Sequence, residues 1–147
     1  MISPKGKENG IGNKIINAPI ACNGKASNIN EYLERKTHHL FLFTGNKPAI
    51  ESAYSTYDLF DYVVNNHLEK MNPIIVTKLV PMGLSDREII LDLDGELYDA
   101  FNIGNQPKMA VIDDNNMILG ISETVTKSGL KVLINNILKN KSNNQKC

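Results

Sequence analysis

Leu40-Phe41-Leu42-Phe43-Thr44-Gly45-Asn46-Lys47-Pro48 is the stretch on which the fold turns. Four consecutive apolar residues, apolar on both faces at a strand's two-residue period, suit a strand buried between two helix layers. Thr44-Gly45-Asn46-Lys47 breaks the run. Pro48 fits the first turn of a helix, where its missing N–H costs nothing. Ile50, Ala53, Tyr54, Tyr57, Phe60, Val64, Leu68 and Met71 then recur at three- and four-residue spacing, one face of a long helix. Ile74-Ile75-Val76-Thr77-Lys78-Leu79-Val80 is β-branched and nearly continuous, a second buried strand. Strand, helix, strand in this order implies a right-handed parallel crossover.

Outward from this unit, residues 83–95 are mixed, and Asp94 is placed to cap a short helix carrying Leu97, Tyr98 and Phe101. Met109–Ile112 reads as a third strand. Asp113-Asp114-Asn115-Asn116 is turn chemistry, and Met117–Ser122 returns as a fourth strand. Leu130, Leu133, Ile134, Ile137 and Leu138 form the stripe of a closing helix. Upstream, Asn28 with Glu31 three residues later has the form of a helix start, with the helix running to about Lys36. Residues 1–27 read as an extended lead-in, disordered in part, 28–139 as one domain, and 140–147 as a polar tail.

Composition narrows the function classes. The chain has 147 residues, 41% hydrophobic and 22% charged, enough for one packed core. Sixteen basic residues balance sixteen acidic ones, so the basic excess of a nucleic-acid binder is missing. No apolar run approaches the roughly 20 residues of a membrane span. Met1–Lys7 lacks a signal peptide's apolar core, which makes the cytoplasm the expected compartment. Cys22 and Cys147 are far apart, and a disulfide between them is not expected.

The order β-α-β-(α)-β-β-α resembles the thioredoxin fold over residues 16–139. The implied architecture is a three-layer α/β fold, a central mixed sheet with helices on both faces. The resemblance puts Thr44-Gly45-Asn46-Lys47 where thioredoxins hold C-x-x-C, and makes Pro107, in Asp99–Pro107, the candidate for their cis-proline. Thiol exchange there requires a low-pKa thiolate at a helix N-terminus and a second, resolving thiol. This sequence offers neither at that place. Thr44, Gly45, Asn46, Lys47 and Pro107 are therefore the candidate ligand or partner surface. Thr44–Lys47 reads as a loop-to-helix junction, or alternatively as an anion-binding helix start.

A narrower resemblance rests on Gly12–Ile20, Asn23-Gly24, Ile29–Leu33 and His39–Gly45. These are similar to the opening of the thioredoxin-like C-terminal domain of FAD-dependent aromatic-ring hydroxylases, the phenol-hydroxylase-like flavoprotein monooxygenases. That resemblance implies a non-catalytic accessory domain serving structure, subunit contact or dimerisation, with a parent hydroxylase's flavin domains or a homodimer mate as partner. FAD would belong to the parent, since this chain has no G-x-G-x-x-G after a strand and no cofactor site of its own. The module's R-P-D-G turn is replaced here by Asp113–Asn116. The alternatives are a stand-alone thioredoxin-like binding module using the Thr44–Lys47 and Pro107 end, and, ranked below it, a thiol-redox or peroxide-handling enzyme.

Other chemistry-bearing residues read as structural. Cys22 lies before the first core strand with no activating His or Arg nearby in sequence. Neighbours on a strand, His38 and His39 face opposite ways, and His67 lacks a second ligand one turn on, so no metal site is expected. Asp92–Glu96 has its Gly too early for an EF-hand and reads as a turn and cap. Asp113 and Asp114 are hairpin residues. The Tyr54, Tyr57, Phe60 stripe is core and adjoining surface, with a dimer face as the alternative.

Overall fold

The computed structural model describes residues 12–22, 25–33, 38–45, 50–66, 71–78 and 88–145, with the side chains of 50–55 and 139–145 excepted. Strands are β1 (Pro19–Cys22), β2 (Lys25–Asn28), β3 (His39–Phe43), β4 (Asn72–Thr77), β5 (Ile89–Asp92), β6 (Lys108–Ile112) and β7 (Ile118–Ser122). Helices are α1 (Ile29–Tyr32), α2 (Ile50–Asn66), α3 (Glu96–Ala100) and α4 (Lys127–Gln145). The seven strands make one sheet in the order β2-β1-β5-β4-β3-β6-β7. β3, β4 and β5 run parallel, with Leu42 opposite Ile75 and Val76 opposite Ile90. The β6–β7 hairpin lies antiparallel on one side, and the β1–β2 hairpin on the other.

The double-faced apolarity of β3 follows from this central place. Phe41 and Phe43 point to one face, where Ile74, Val76, Ile90, Leu97, Tyr98 and Phe101 pack. Leu40 and Leu42 point to the other, among Leu59, Phe60 and Val63 of α2 and Leu130, Leu133 and Ile134 of α4. Each layer of helices thus covers one parity of the strand residues.

Several expectations change. Residues 19–22 and 25–28, inside or bordering the expected lead-in, pair as antiparallel strands at the sheet edge, and Ile15, Ala18 and Ile20 join the core. β5 occupies a stretch read only as mixed. Asn28 does cap α1, accepting from the Glu31 N–H at 3.2 Å, but the helix closes at Tyr32. Among the described side chains of α2 the buried ones are Thr56, Leu59, Phe60 and Val63, while Val64 is exposed. The stripe therefore turns one residue earlier than its sequence spacing indicated. Leu138 likewise faces outward on α4. His67, Leu68 and Lys78's followers Leu79 and Val80 lie outside the described residues.

Candidate functional site at the ends of the parallel strands

The described residues with buried polar side chains are His39, Thr44, Thr56, Thr77 and Asp92. Three of them stand at one end of the sheet: Thr44 just after β3, Thr77 closing β4 and Asp92 closing β5. This is the end of an open α/β sheet at which ligands ordinarily bind. Tyr98, 1% exposed, links them. Its hydroxyl stands 3.1 Å from Thr44 Oγ1, 3.2 Å from the Gly45 carbonyl and 3.2 Å from the Val76 carbonyl. It also bonds the Thr77 side chain. The Thr44 N–H donates to the same Val76 carbonyl at 3.2 Å. Burial pushes the Tyr98 phenol above its ordinary pKa of 10, the hydrogen bond from Thr44 and the Gly45 backbone acting the other way, so the ring keeps its proton at neutral pH.

Asp92 fixes where Tyr98 sits. Its Oδ2 accepts the Tyr98 N–H at 2.8 Å and its Oδ1 the Leu97 N–H at 3.3 Å. The capping carboxylate is therefore Asp92 and not Asp94. Gly95, at φ +74°, turns the chain so that the first N–H groups of α3 face back onto β5. Burial raises the Asp92 pKa, opposed by these two N–H bonds and by the Lys78 charge. Phe43 meets the Tyr98 ring edge-on at 5.6 Å, and Lys78 Nζ lies 5.6 Å above the ring.

Gly45 closes the site against the loop before β6. At φ +101° it adopts a conformation that side chains avoid, and a Cβ there would stand 2.5 Å from the Asn105 carbonyl oxygen and 3.3 Å from the Gln106 carbonyl carbon. Gly45 is thus brought against the segment that leads into Pro107. Pro107 is half-buried, and the described residues contain no cis peptide bond, so the expected cis-proline is trans. Asn46 and Lys47 lie outside the described residues.

The remaining candidates stay apart from this end. Cys22 on β1 pairs with Ile90, two residues back from Asp92, and β1 is three places from β3 in the sheet, about 14 Å at ordinary strand spacing. His39 is buried at the opposite end of β3, and no His, Cys, Asp or Glu cluster among the described residues could hold a metal ion. Asp113 is a turn residue, accepting the Asn115 and Met117 N–H groups at 2.8 and 2.9 Å. Tyr57 is half-buried beside the α2 core and Phe60 belongs to it.

No family model matches the chain, and no curated protein does. Solved structures do. A PrxQ variant from Xylella fastidiosa superposes with a TM-score of 0.62 at 14% identity, over 91% of this chain and 96% of that one. The peroxidoxin BcpB from Mycobacterium tuberculosis gives 0.62 at 11% identity, over 77% and 85%. The exposed lipoprotein thioredoxin Etrx1 from Streptococcus pneumoniae gives 0.58 at 10% identity, over 84% and 99%. The chain has the thioredoxin-like fold.

These neighbours overturn the hydroxylase reading. They are peroxiredoxin-type and thiol:disulfide proteins, and the expectation of an FAD-dependent flavoprotein monooxygenase, with this chain as its accessory domain, is withdrawn. The residues that carried it have local structural work instead. Gly12 takes φ +93° beside β7, the Asn17 side chain accepts the Asn30 N–H, and His39–Phe43 is a central strand. Short motifs of this kind mark a way of building the fold and not a parent enzyme. No helix among the described residues is long and apolar enough to cross a membrane.

Proposed function

We propose that this chain works among thiol-redox and peroxide-handling proteins, and that its Thr44, Gly45, Asn46, Lys47 and Pro107 end binds an extended polypeptide segment of a redox partner. The observation that carries the reading is the packing of Gly45 against the Asn105–Gln106 peptide ahead of Pro107, with Thr44 beside it on the buried Tyr98 hydroxyl. The likeness to PrxQ, BcpB and Etrx1 supports the class. Thr44-Gly45-Asn46-Lys47 has no cysteine for exchange, so the contribution is recognition and the electron-transferring thiol is the partner's. The reading calls for no bound cofactor and takes the cytoplasm, where Cys22 and Cys147 stay reduced, as its compartment.

The test is a titration with isolated insulin B chain, its cysteines blocked, followed by amide resonances. Saturable shifts at Thr44, Gly45, Asn105 and Lys108 are expected, and in separate assays the chain alone should neither reduce the disulfides of intact insulin nor consume hydrogen peroxide. Silence at those amides, or a turnover that Cys22→Ser abolishes, overturns the reading and moves the chemistry to a thiol of this chain.

A further inference from the structure

We infer that Tyr98 is the positioning residue of the Thr44–Gly45 rim, holding the ends of β3 and β4 in register with β5 through one hydroxyl; this rests on the rim being the binding end. A neutral phenol has one proton to donate, and two carbonyls, Gly45 and Val76, lie at 3.2 Å from its oxygen. Donating to one of them, it accepts from the hydroxyls of Thr44 and Thr77, which have protons to give. With the Thr44 N–H also on the Val76 carbonyl, a closed circuit forms: Thr44 N–H to Val76 O, Tyr98 O–H toward Val76 or Gly45 O, Thr44 O–H to Tyr98 O. Tyr98 is itself tied to β5 by the Asp92 carboxylate on its N–H.

Three strand ends are therefore tied to one buried residue, β3 and β4 through its hydroxyl and β5 through its backbone N–H. Gly45 is a permissive residue at φ +101°, set close against Asn105, so its carbonyl is held in place by a partner and not by a side chain of its own. The aromatic ring fills space against Phe43 and Phe101's cluster, a role phenylalanine would serve as well. The hydroxyl alone carries the positioning.

The experiment is a double-mutant cycle on binding of the blocked insulin B chain, using Tyr98→Phe, Thr44→Val and the pair, with Thr44→Ser as the conservative variant. Each single change should weaken binding about tenfold, what one ordinary hydrogen bond is worth. The double variant should be no weaker than either single one, and Thr44→Ser should recover most of what Thr44→Val loses. A purely structural role would lower stability without that coupling or that recovery. If Tyr98→Phe does not fold, the Thr44→Val and Thr44→Ser pair still decides. Wild-type binding with additive losses, or with none, overturns the inference alone; absence of wild-type binding overturns it together with the reading of the rim.

Discussion

Replacing Gly45 by alanine probes the close approach on which the site is built. Two costs are separable. The backbone stands at φ +101°, where a residue with a Cβ stores about 1–3 kcal/mol of strain. The new methyl would also stand 2.5 Å from the Asn105 carbonyl oxygen and 3.0 Å from its carbon. Both are backbone atoms, which cannot swing aside as a side-chain end can, so overpacking adds about 1–3 kcal/mol. Stiffening of the unfolded chain returns about 0.4–1 kcal/mol. The net expectation is a loss of about 1–6 kcal/mol, against the 5–15 kcal/mol roughly typical of a domain. Two other glycines separate the terms. Gly12 has φ +93° with nothing within 4 Å of its Cβ position, so Gly12→Ala should show the strain alone. Gly104 has open space and no positive φ, so Gly104→Ala should be close to neutral. Urea denaturation followed by circular dichroism gives the order directly. If Gly45→Ala unfolds at the same urea midpoint as Gly12→Ala, the contact between Gly45 and the Asn105–Gln106 peptide is not there and the rim loses its support.

Three further outcomes follow from the same geometry. Burial lifts Glu88, which accepts a hydrogen bond from the Tyr32 hydroxyl, from 4.5 to about 7. The folded state then binds more protons than the unfolded one between those values, so this group's contribution is full below pH 4.5 and declines as pH rises to about 7. Glu88→Gln should flatten the slope of unfolding free energy against pH in that window, and an unchanged slope would falsify the assignment. Asp92→Asn trades one acceptor oxygen for a donor that faces the Leu97 and Tyr98 N–H groups. A loss of about 1–3 kcal/mol is expected, read from the urea midpoint, and a stability equal to wild type removes Asp92 as the anchor of α3. Phe43→Ala empties space beneath Tyr98, 5.6 Å away, and Phe101, 5.1 Å away. About 3–5 kcal/mol should be lost with it, and a loss below 1 kcal/mol would show that the cluster collapses to fill the gap.

The parallel pair, the β6–β7 hairpin and α4 were legible because each is a local pattern: an apolar run, a turn, a helical stripe. The strands that were missed are held by distant partners. Ile89–Asp92 is four residues long and owes its place to β4 and β1, to which it pairs across intervals of about 14 and 70 residues. The β1–β2 hairpin did leave a signal. In the sequence, Asn-Gly between Cys22 and Lys25 is the dipeptide that most strongly signals a hairpin, although it serves above only as part of a family resemblance. The site was half visible. Thr44 and Gly45 followed from the strand-to-helix break, but the Tyr98 hydroxyl, whose partners lie 22, 53 and 54 residues away, had no local trace.

The distribution of buried polarity is the strongest reason to treat this end as more than a junction. Hydroxyls and carboxylates in a core cost free energy unless satisfied, and a purely structural junction is served as well by apolar residues. Here Thr44, Thr77 and Asp92 close three neighbouring parallel strands, and a tyrosine inserted among phenylalanines satisfies the first two while the third anchors the tyrosine. Apolar substitutes at all four positions would fill the same volume and leave β3 and β4 free to settle by packing alone. The polar set imposes a direction on the Gly45 and Val76 carbonyls instead, at the place where a glycine at positive φ lets the chain touch the loop before Pro107. Of the five buried polar residues described, His39 and Thr56 lie elsewhere, and the three that share this end are the ones tied together through Tyr98.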